Sequence, residues 1–282
     1  MSRIEKAMEK AARLREQDVD AVPAVPPPAE REAPAAPPVF TPPERTLTPS
    51  HPFLVNLLDP RSPAAEEYRK LKGTLVKLTK GEKFRNTLMV TSAVPNEGKS
   101  LTALNLAISL AQELDYTVLL IDGDLRRPSL HRYLDVEEGP GLGDVLLGEA
   151  DIPETLVATG IGKLSIMRAG RPVENPAELF SSQKMRGLVE EMKNRYPDRF
   201  IIFDTPPLLP FAETRSLANL VDGVLFVVME RLASQANIRE GIESLKGCPL
   251  LGIVYNAATL GESDHTYYYY RESGPEKAKA RQ

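Results

Sequence analysis

The chain has one cysteine, Cys248, in 282 residues, so an intramolecular disulfide and a cysteine-rich metal site are both excluded. It has no excess of positive charge. A net charge of −4 provides no global basic field for nucleic acid. It has no apolar run long enough to span a bilayer, and its first residues, "MSRIEKAMEKAARLREQ", contain no signal-peptide core. A cytoplasmic location is therefore expected, with any membrane contact made through a partner. Aromatic residues are scarce at 6%, yet four tyrosines, Tyr267, Tyr268, Tyr269 and Tyr270, stand in one block near the C-terminus in polar company. A strand would bury only alternate rings and a helix would spread them around its whole circumference, so packing does not explain the run.

What is present is sufficient for one large domain, with a hydrophobic fraction of 42%. The sequence divides into four parts. Residues 1–17 suit a short amphipathic helix, with Ile4, Ala7, Met8, Ala11 and Leu14 on one face. Residues 18–52 are dense in proline and read as a semi-stiff linker. Residues 53–260 carry the fold, and residues 261–282 read as a flexible, tyrosine-containing tail without periodicity.

Within the fold, "SPAAEEYRKLKGTLVKLT" (62–79) predicts a helix with Ser62 as N-cap, Pro63 at the first position and acids in the first turn. Strands are predicted at 86–92, 116–122, 164–168, 199–204, 223–229 and 250–256. They are continuous apolar runs, as strands buried on both faces of a parallel sheet should be. Alternation with helices implies a three-layer α/β fold with a mostly parallel sheet, and a Gly98-Lys99-Ser100 loop between its first strand and the next helix makes it one of the P-loop NTPase type.

Three strand ends carry the chemistry. "MVTSAVPNEGKSLTALNLA" has the order strand, loop, helix, and the loop ends in Gly98-Lys99-Ser100. In loops of this kind backbone N–H groups hold phosphate oxygens, the lysine reaches the β/γ-phosphates, and the hydroxyl binds Mg²⁺. Ala93 replaces the usual first glycine, and Asn96 is the non-glycine residue that best tolerates a left-handed turn. "VLLIDGDLRRP" ends a second strand in Asp122 and Asp124, followed by Arg126, and "FIIFDTPP" ends a third in Asp204. The C-terminal strand ends of a doubly wound sheet form the ligand crevice. Carboxylates there can hold Mg²⁺ or take a proton from a nucleophile. Each aspartate could also simply cap its following turn.

The set "SAVPNEGKS", "LLIDGDLRRP", "FIIFDTPP" and a C-terminal tyrosine cluster resembles the bacterial tyrosine kinases of polysaccharide-export loci, where these segments are the Walker A, A′ and B motifs. "SPAAEEYRKLK", "GLGDVLLGE", "AGRPVENPAELFSS" and "GIVYN" extend the resemblance over roughly residues 60–270. The N-terminal helix and proline linker are similar to those of tyrosine autokinases from exosortase-associated loci. The resemblance implies ATP and Mg²⁺ as cofactors. Pro95, Asn96, Glu97, Gly98, Lys99, Ser100 and Leu101 would bind the nucleotide phosphates and Asn256 the adenine. Ser100, Asp124 and Asp204 would serve the metal, Asp122 would accept or orient the tyrosine proton, and Arg126 matches the family arginine after the paired aspartates. Tyr267 to Tyr270 would be the phosphate acceptors. Glu66, Arg69 and Lys72 would form an oligomer interface, with lysine where the family pattern has a second arginine; locally, Glu66 and Arg69 are also an ordinary i,i+3 helix pair. Implied partners are other copies of the chain, in a ring or smaller assembly, a separate membrane-embedded chain-length or export protein as activator, which would recruit the chain to the inner face of the membrane, and a phosphotyrosine phosphatase. Nucleic acid is not expected. Two other readings stay open at this point. A partitioning- or division-type ATPase would carry a lysine at the position of Val94. A non-catalytic, nucleotide-gated scaffold would use the tyrosines for docking.

Overall fold

A computed structural model describes residues 46–81, 85–195 and 198–259. The helix expected over 2–17, most of the proline-rich linker and the tyrosine tail lie outside the described residues.

Among the described residues seven strands form one sheet: β1 (Thr87–Ser92), β2 (Thr117–Asp122), β3 (Leu156–Ala158), β4 (Leu164–Met167), β5 (Arg199–Asp204), β6 (Gly223–Met229) and β7 (Leu250–Asn256). Their spatial order is β3-β4-β2-β5-β1-β6-β7. All pairings are parallel except β3 with β4. Strands β1, β2 and β5 are buried at every position, which is why they read as unbroken apolar runs rather than alternating ones.

Ten described helices surround the sheet: α1 (Val55–Leu58), α2 (Pro63–Thr79), α3 (Lys99–Ala111), α4 (Leu130–Tyr133), α5 (Leu142–Leu147), α6 (Ile152–Thr155), α7 (Pro176–Ser181), α8 (Gln183–Arg195), α9 (Glu213–Ala218) and α10 (Gln235–Ser244). Two apolar layers result. One joins Leu104, Ile108 and Leu75 to Leu88, Val90 and Ile202 under α2 and α3. The other joins Phe180, Met185 and Val189 to Met89, Ile201 and Phe203 under α7 and α8. The sheet is thus covered on both faces. The centre of α3 is buried nearly all round, which suits a helix lying between the sheet and α2.

The start of α2 forms as its sequence predicts. The Ser62 hydroxyl accepts from the Ala65 N–H at 3.2 Å, and Pro63 occupies the first helical position, where no N–H is needed. Two features depart from the sequence reading. The antiparallel edge strand β3 was not expected. In addition, the packed chain reaches back to Thr46, upstream of residue 53. The Leu47 N–H donates to the Thr159 carbonyl at 2.8 Å, Leu47 packs against the α3-side layer, and Pro49 is buried. Among the described residues no helix is long and apolar enough to cross a membrane.

Candidate active site

The site lies at the C-terminal ends of β1, β2 and β5, which are neighbours in the sheet. Register pairs Asp122 with Asp204, and Asp204 with Val90 on the other side. Adjacent strands lie about 4.8 Å apart, so the carboxylates that end β2 and β5 sit side by side, next to the loop that leaves β1.

That loop needs two left-handed residues. Asn96 has φ 67° and Gly98 has φ 84°. At Gly98 the space is also closed, because a Cβ would stand 2.1 Å from Asn256 Nδ2. Gly98 is the N-cap of α3 and offers no side-chain cap, so the first N–H groups of α3 are left for another acceptor. Pro95 and Asn96 form the exposed tip. Glu97 does the reverse of what a loop acid usually does. It is wholly buried, and its carboxylate accepts from the N–H of Val94 at 2.9 Å and of Met229 at 3.4 Å. Asn256 Nδ2 donates to the Glu97 carbonyl at 2.9 Å. The loop is thereby tied to the ends of both β6 and β7.

Lys99 Nζ lies 3.6 Å from Asp124 Oδ2 and 3.4 Å from Ser100 Oγ. Asp124 also accepts from the Arg127 N–H at 3.0 Å. Asp122 is buried, and its oxygens accept from the N–H groups of Ser129 (2.9 Å), Leu130 (3.0 Å) and Asp124 (3.2 Å). Capping of the following turn is therefore a real part of what Asp122 and Asp124 do. Burial, reinforced by the charge of Asp204, pushes the Asp122 carboxyl up to about 7 against those backbone bonds.

Asp204 is different. It is 0% exposed, and neither carboxylate oxygen has a hydrogen-bond partner among the described residues. Burial pushes it up to about 6, against the pull of Lys99, the Ser100 hydroxyl and the Thr205 N–H; the last two approach it without the geometry of a hydrogen bond. A buried carboxylate without partners costs several kcal/mol unless a cation or donor arrives. Together with the uncapped helix start and the Gly98 cradle, it fits a phosphate-bound divalent ion held by Ser100 and Asp204.

Gly123 permits this arrangement. Its N–H donates to the Asp204 carbonyl at 2.7 Å, and a Cβ there would meet the same oxygen at 2.8 Å. Arg126 Nε lies 2.5 Å from Glu213 Oε1, and its guanidinium sits 4.9 Å from the centre of the Phe211 ring. The burial of Glu97 and the pairing of Glu213 were missed from the sequence. The only available signal was a lone acid in each of two loops otherwise poor in charge.

The structure thus gathers Lys99, Ser100, Asp122, Asp124, Arg126, Asp204 and Asn256 at one end of the sheet. Glu66, Arg69 and Lys72 lie on α2 and are engaged within the chain. Arg69 bonds Glu66 and the Pro60 carbonyl, and Lys72 pairs with Glu113. Tyr267 to Tyr270 lie outside the described residues.

Comparison with known proteins agrees with this geometry. Residues 88–266 match the family model of the CobQ/CobB/MinD/ParA nucleotide binding domain. Tyrosine-protein kinase YwqD of Bacillus subtilis (strain 168) is 34% identical over 227 residues, which is 79% of this chain and 94% of the relative. The succinoglycan biosynthesis transport protein ExoP of Rhizobium meliloti (strain 1021) is 32% identical over 208 residues; these are 72% of this chain but 26% of ExoP. The solved structure of the kinase domain of Escherichia coli tyrosine kinase ETK superposes with a TM-score of 0.68 at 29% identity, covering 77% of this chain and 86% of that one. The matching family model also takes in MinD and ParA, but YwqD, matched over nearly its whole length, is a tyrosine-protein kinase. The chain belongs to the bacterial tyrosine-protein kinase family.

Proposed function

We propose that this kinase uses MgATP to phosphorylate its own C-terminal tyrosines, Tyr267 to Tyr270, and that this cycle regulates exopolysaccharide synthesis and export. The observation that carries the reading is Asp204: a buried carboxylate with no partner among the described residues, beside Lys99 and Ser100 and level with Asp122.

The residues divide the work as follows. The N–H groups at the start of α3 and the Lys99 ammonium would hold the β- and γ-phosphates. Ser100 and Asp204 would hold Mg²⁺, with Asp124 supporting its shell; when bound, the ion neutralises charge on the phosphoryl oxygens. Asn256 donates its Nδ2 to the phosphate loop, which would leave its Oδ1 to accept from the adenine amine. The acceptor phenol, with a pKa of about 10, needs a base near neutral pH. Asp122, held near 7, suits that task. The phenolic oxygen bonds to the γ-phosphorus, the bond to the ADP oxygen breaks, and the proton passes to an Asp122 oxygen. Reach is adequate, because the roughly eleven residues from Asn256 to Tyr267 span up to about 36 Å.

Regulation of polymer export draws support from the relationship to ExoP, whose name describes succinoglycan transport. We place the activator in a separate membrane-embedded export protein that recruits the kinase to the inner face of the membrane, and the reset in a phosphotyrosine phosphatase. The test is incubation with MgATP followed by phosphosite mapping, with and without the candidate membrane partner. Wild type should carry phosphate on Tyr267–Tyr270, and Lys99→Ala should lower labelling about a hundredfold or more. Asp122→Asn should lower it while leaving nucleotide binding in place. Steady ADP release with no phosphotyrosine would overturn the reading in favour of a simple ATPase.

A further inference from the structure

Glu213 opens α9, nine residues after Asp204 in the chain, and it has 1% side-chain exposure. One oxygen, Oε1, accepts from Arg126 Nε at 2.5 Å; the other, Oε2, is buried with no partner among the described residues. As a stabilising contact this is a poor arrangement. Burying a carboxylate costs several kcal/mol, and one arginine that is itself 37% exposed offsets only part of it. An apolar side chain would pack the same space at less cost.

What the pair provides is orientation. Arg126 follows the Asp122–Asp124 turn, and its guanidinium is fixed on one edge by Glu213 and on one face by the Phe211 ring, 4.9 Å away. Its hydrogen bond to a described side chain runs through Nε, so both Nη groups remain as donors, and Asp124 is near enough for its charge to act on the guanidinium. The anchor is hydrogen-bonded to its surroundings. The Pro206 carbonyl accepts from the hydroxyls of both Thr91 and Thr214 at 3.0 Å, and the N–H groups of Leu208 and Leu209 donate to the carbonyls of Ser92 and Ala93. The loop that leads into Glu213 is thereby bonded directly to the end of β1 and the start of the phosphate loop.

We infer that Glu213 is a positioning residue for phosphoryl transfer: with Phe211 it fixes Arg126 so that the two Nη groups face the charge developing on the transferred phosphoryl group. The inference rests on the kinase reading above and adds a residue to it. A guanidinium set in advance needs no reorganisation at the moment of reaction, and small losses of such alignment are expensive in rate.

The test compares full-length wild type with Glu213→Gln, which keeps shape and removes charge, and Glu213→Asp, which keeps charge at shorter reach. ADP release and tyrosine labelling are both followed against MgATP concentration, and melting temperatures are recorded. Glu213→Gln should lower kcat by on the order of tenfold to a hundredfold with KM for MgATP little changed, and Glu213→Asp should recover part of the loss. A Glu213→Gln protein with kcat within about twofold of wild type overturns the assignment. So does an equal kcat loss in both variants that tracks a fallen melting temperature, which is what a merely structural pair would give. Wild-type protein that releases ADP without labelling tyrosine refutes the acceptor reading alone, and ADP release then still decides the role of Glu213.

Discussion

Asp204 shows why stability and function oppose each other at this site. Its carboxyl and that of Asp122 rise from the ordinary 3.8 to about 6 and about 7 on folding, burial being the main cause. The folded state therefore holds these protons more tightly than the unfolded chain does. The stability they contribute is fully present below about pH 4 and is lost as pH rises through 6 to 7, at about 1.4 kcal/mol per pH unit for each proton so held. Ligand-free protein in chelator should accordingly lose stability between about pH 4 and pH 7 in urea unfolding. Asp204→Asn removes one buried charge, so it should flatten that slope and raise stability at about pH 8 by about 2 kcal/mol, while abolishing transfer. Parallel pH profiles for wild type and Asp204→Asn would contradict this. The aspartates were legible in the sequence because each ends an apolar run, and a charge at a buried strand end is conspicuous. The roles of Glu97 and Glu213 were not, because what singles them out is burial and bonding to distant backbone or side chains: Met229 for one, Arg126 for the other.

The same distinction holds among elements. β5, β6 and β7 begin and end where their apolar runs do, and α2 begins at its serine cap. β3 escaped notice because three residues, Leu156–Ala158, form no run, and only the edge of β4 calls for them. Residues 46–52 read as linker because proline density dominated their composition, whereas Leu47 and Pro49 are held by packing that composition does not encode. The β2–β5 contact is where an element boundary becomes catalytic geometry. Gly123 lets the Asp122–Asp124 turn touch the end of β5, with no room for a methyl group. Gly123→Ala should separate the two strand ends, destabilise the protein by about 1–3 kcal/mol and reduce transfer beyond what that loss explains. Gly187, exposed in α8 with nothing within 4 Å of the position a methyl would take, is the control. Gly187→Ala should raise stability by up to about 1 kcal/mol and leave transfer unchanged. Equal effects of the two substitutions in unfolding and kinase assays would show that the close approach at Gly123 has no role.

At the scale of the whole molecule, the expected interface residues are already satisfied within one copy. Arg69 is bonded to Glu66 and to the Pro60 carbonyl, and Lys72 to Glu113. An i,i+3 pair on an exposed helix is worth about 0.2–0.5 kcal/mol, so exchanging it for bonds to a neighbour changes little in either direction. An assembly built on such exchanges is weak and responsive to charge. The chain carries −4, and each phosphotyrosine adds about −1.5 to −2. Full modification of Tyr267–Tyr270 would therefore more than double the net negative charge. If copies of the chain assemble through α2, phosphorylation of the proposed acceptors should loosen that assembly. Light scattering on phosphorylated and phosphatase-treated protein should show a smaller mass for the phosphorylated form at low salt. The difference should shrink as the Debye length falls from about 10 Å at 0.1 M to about 3 Å at 1 M. An identical mass for the two forms at low salt would rule out charge as the switch and place control of assembly in contacts other than the tail.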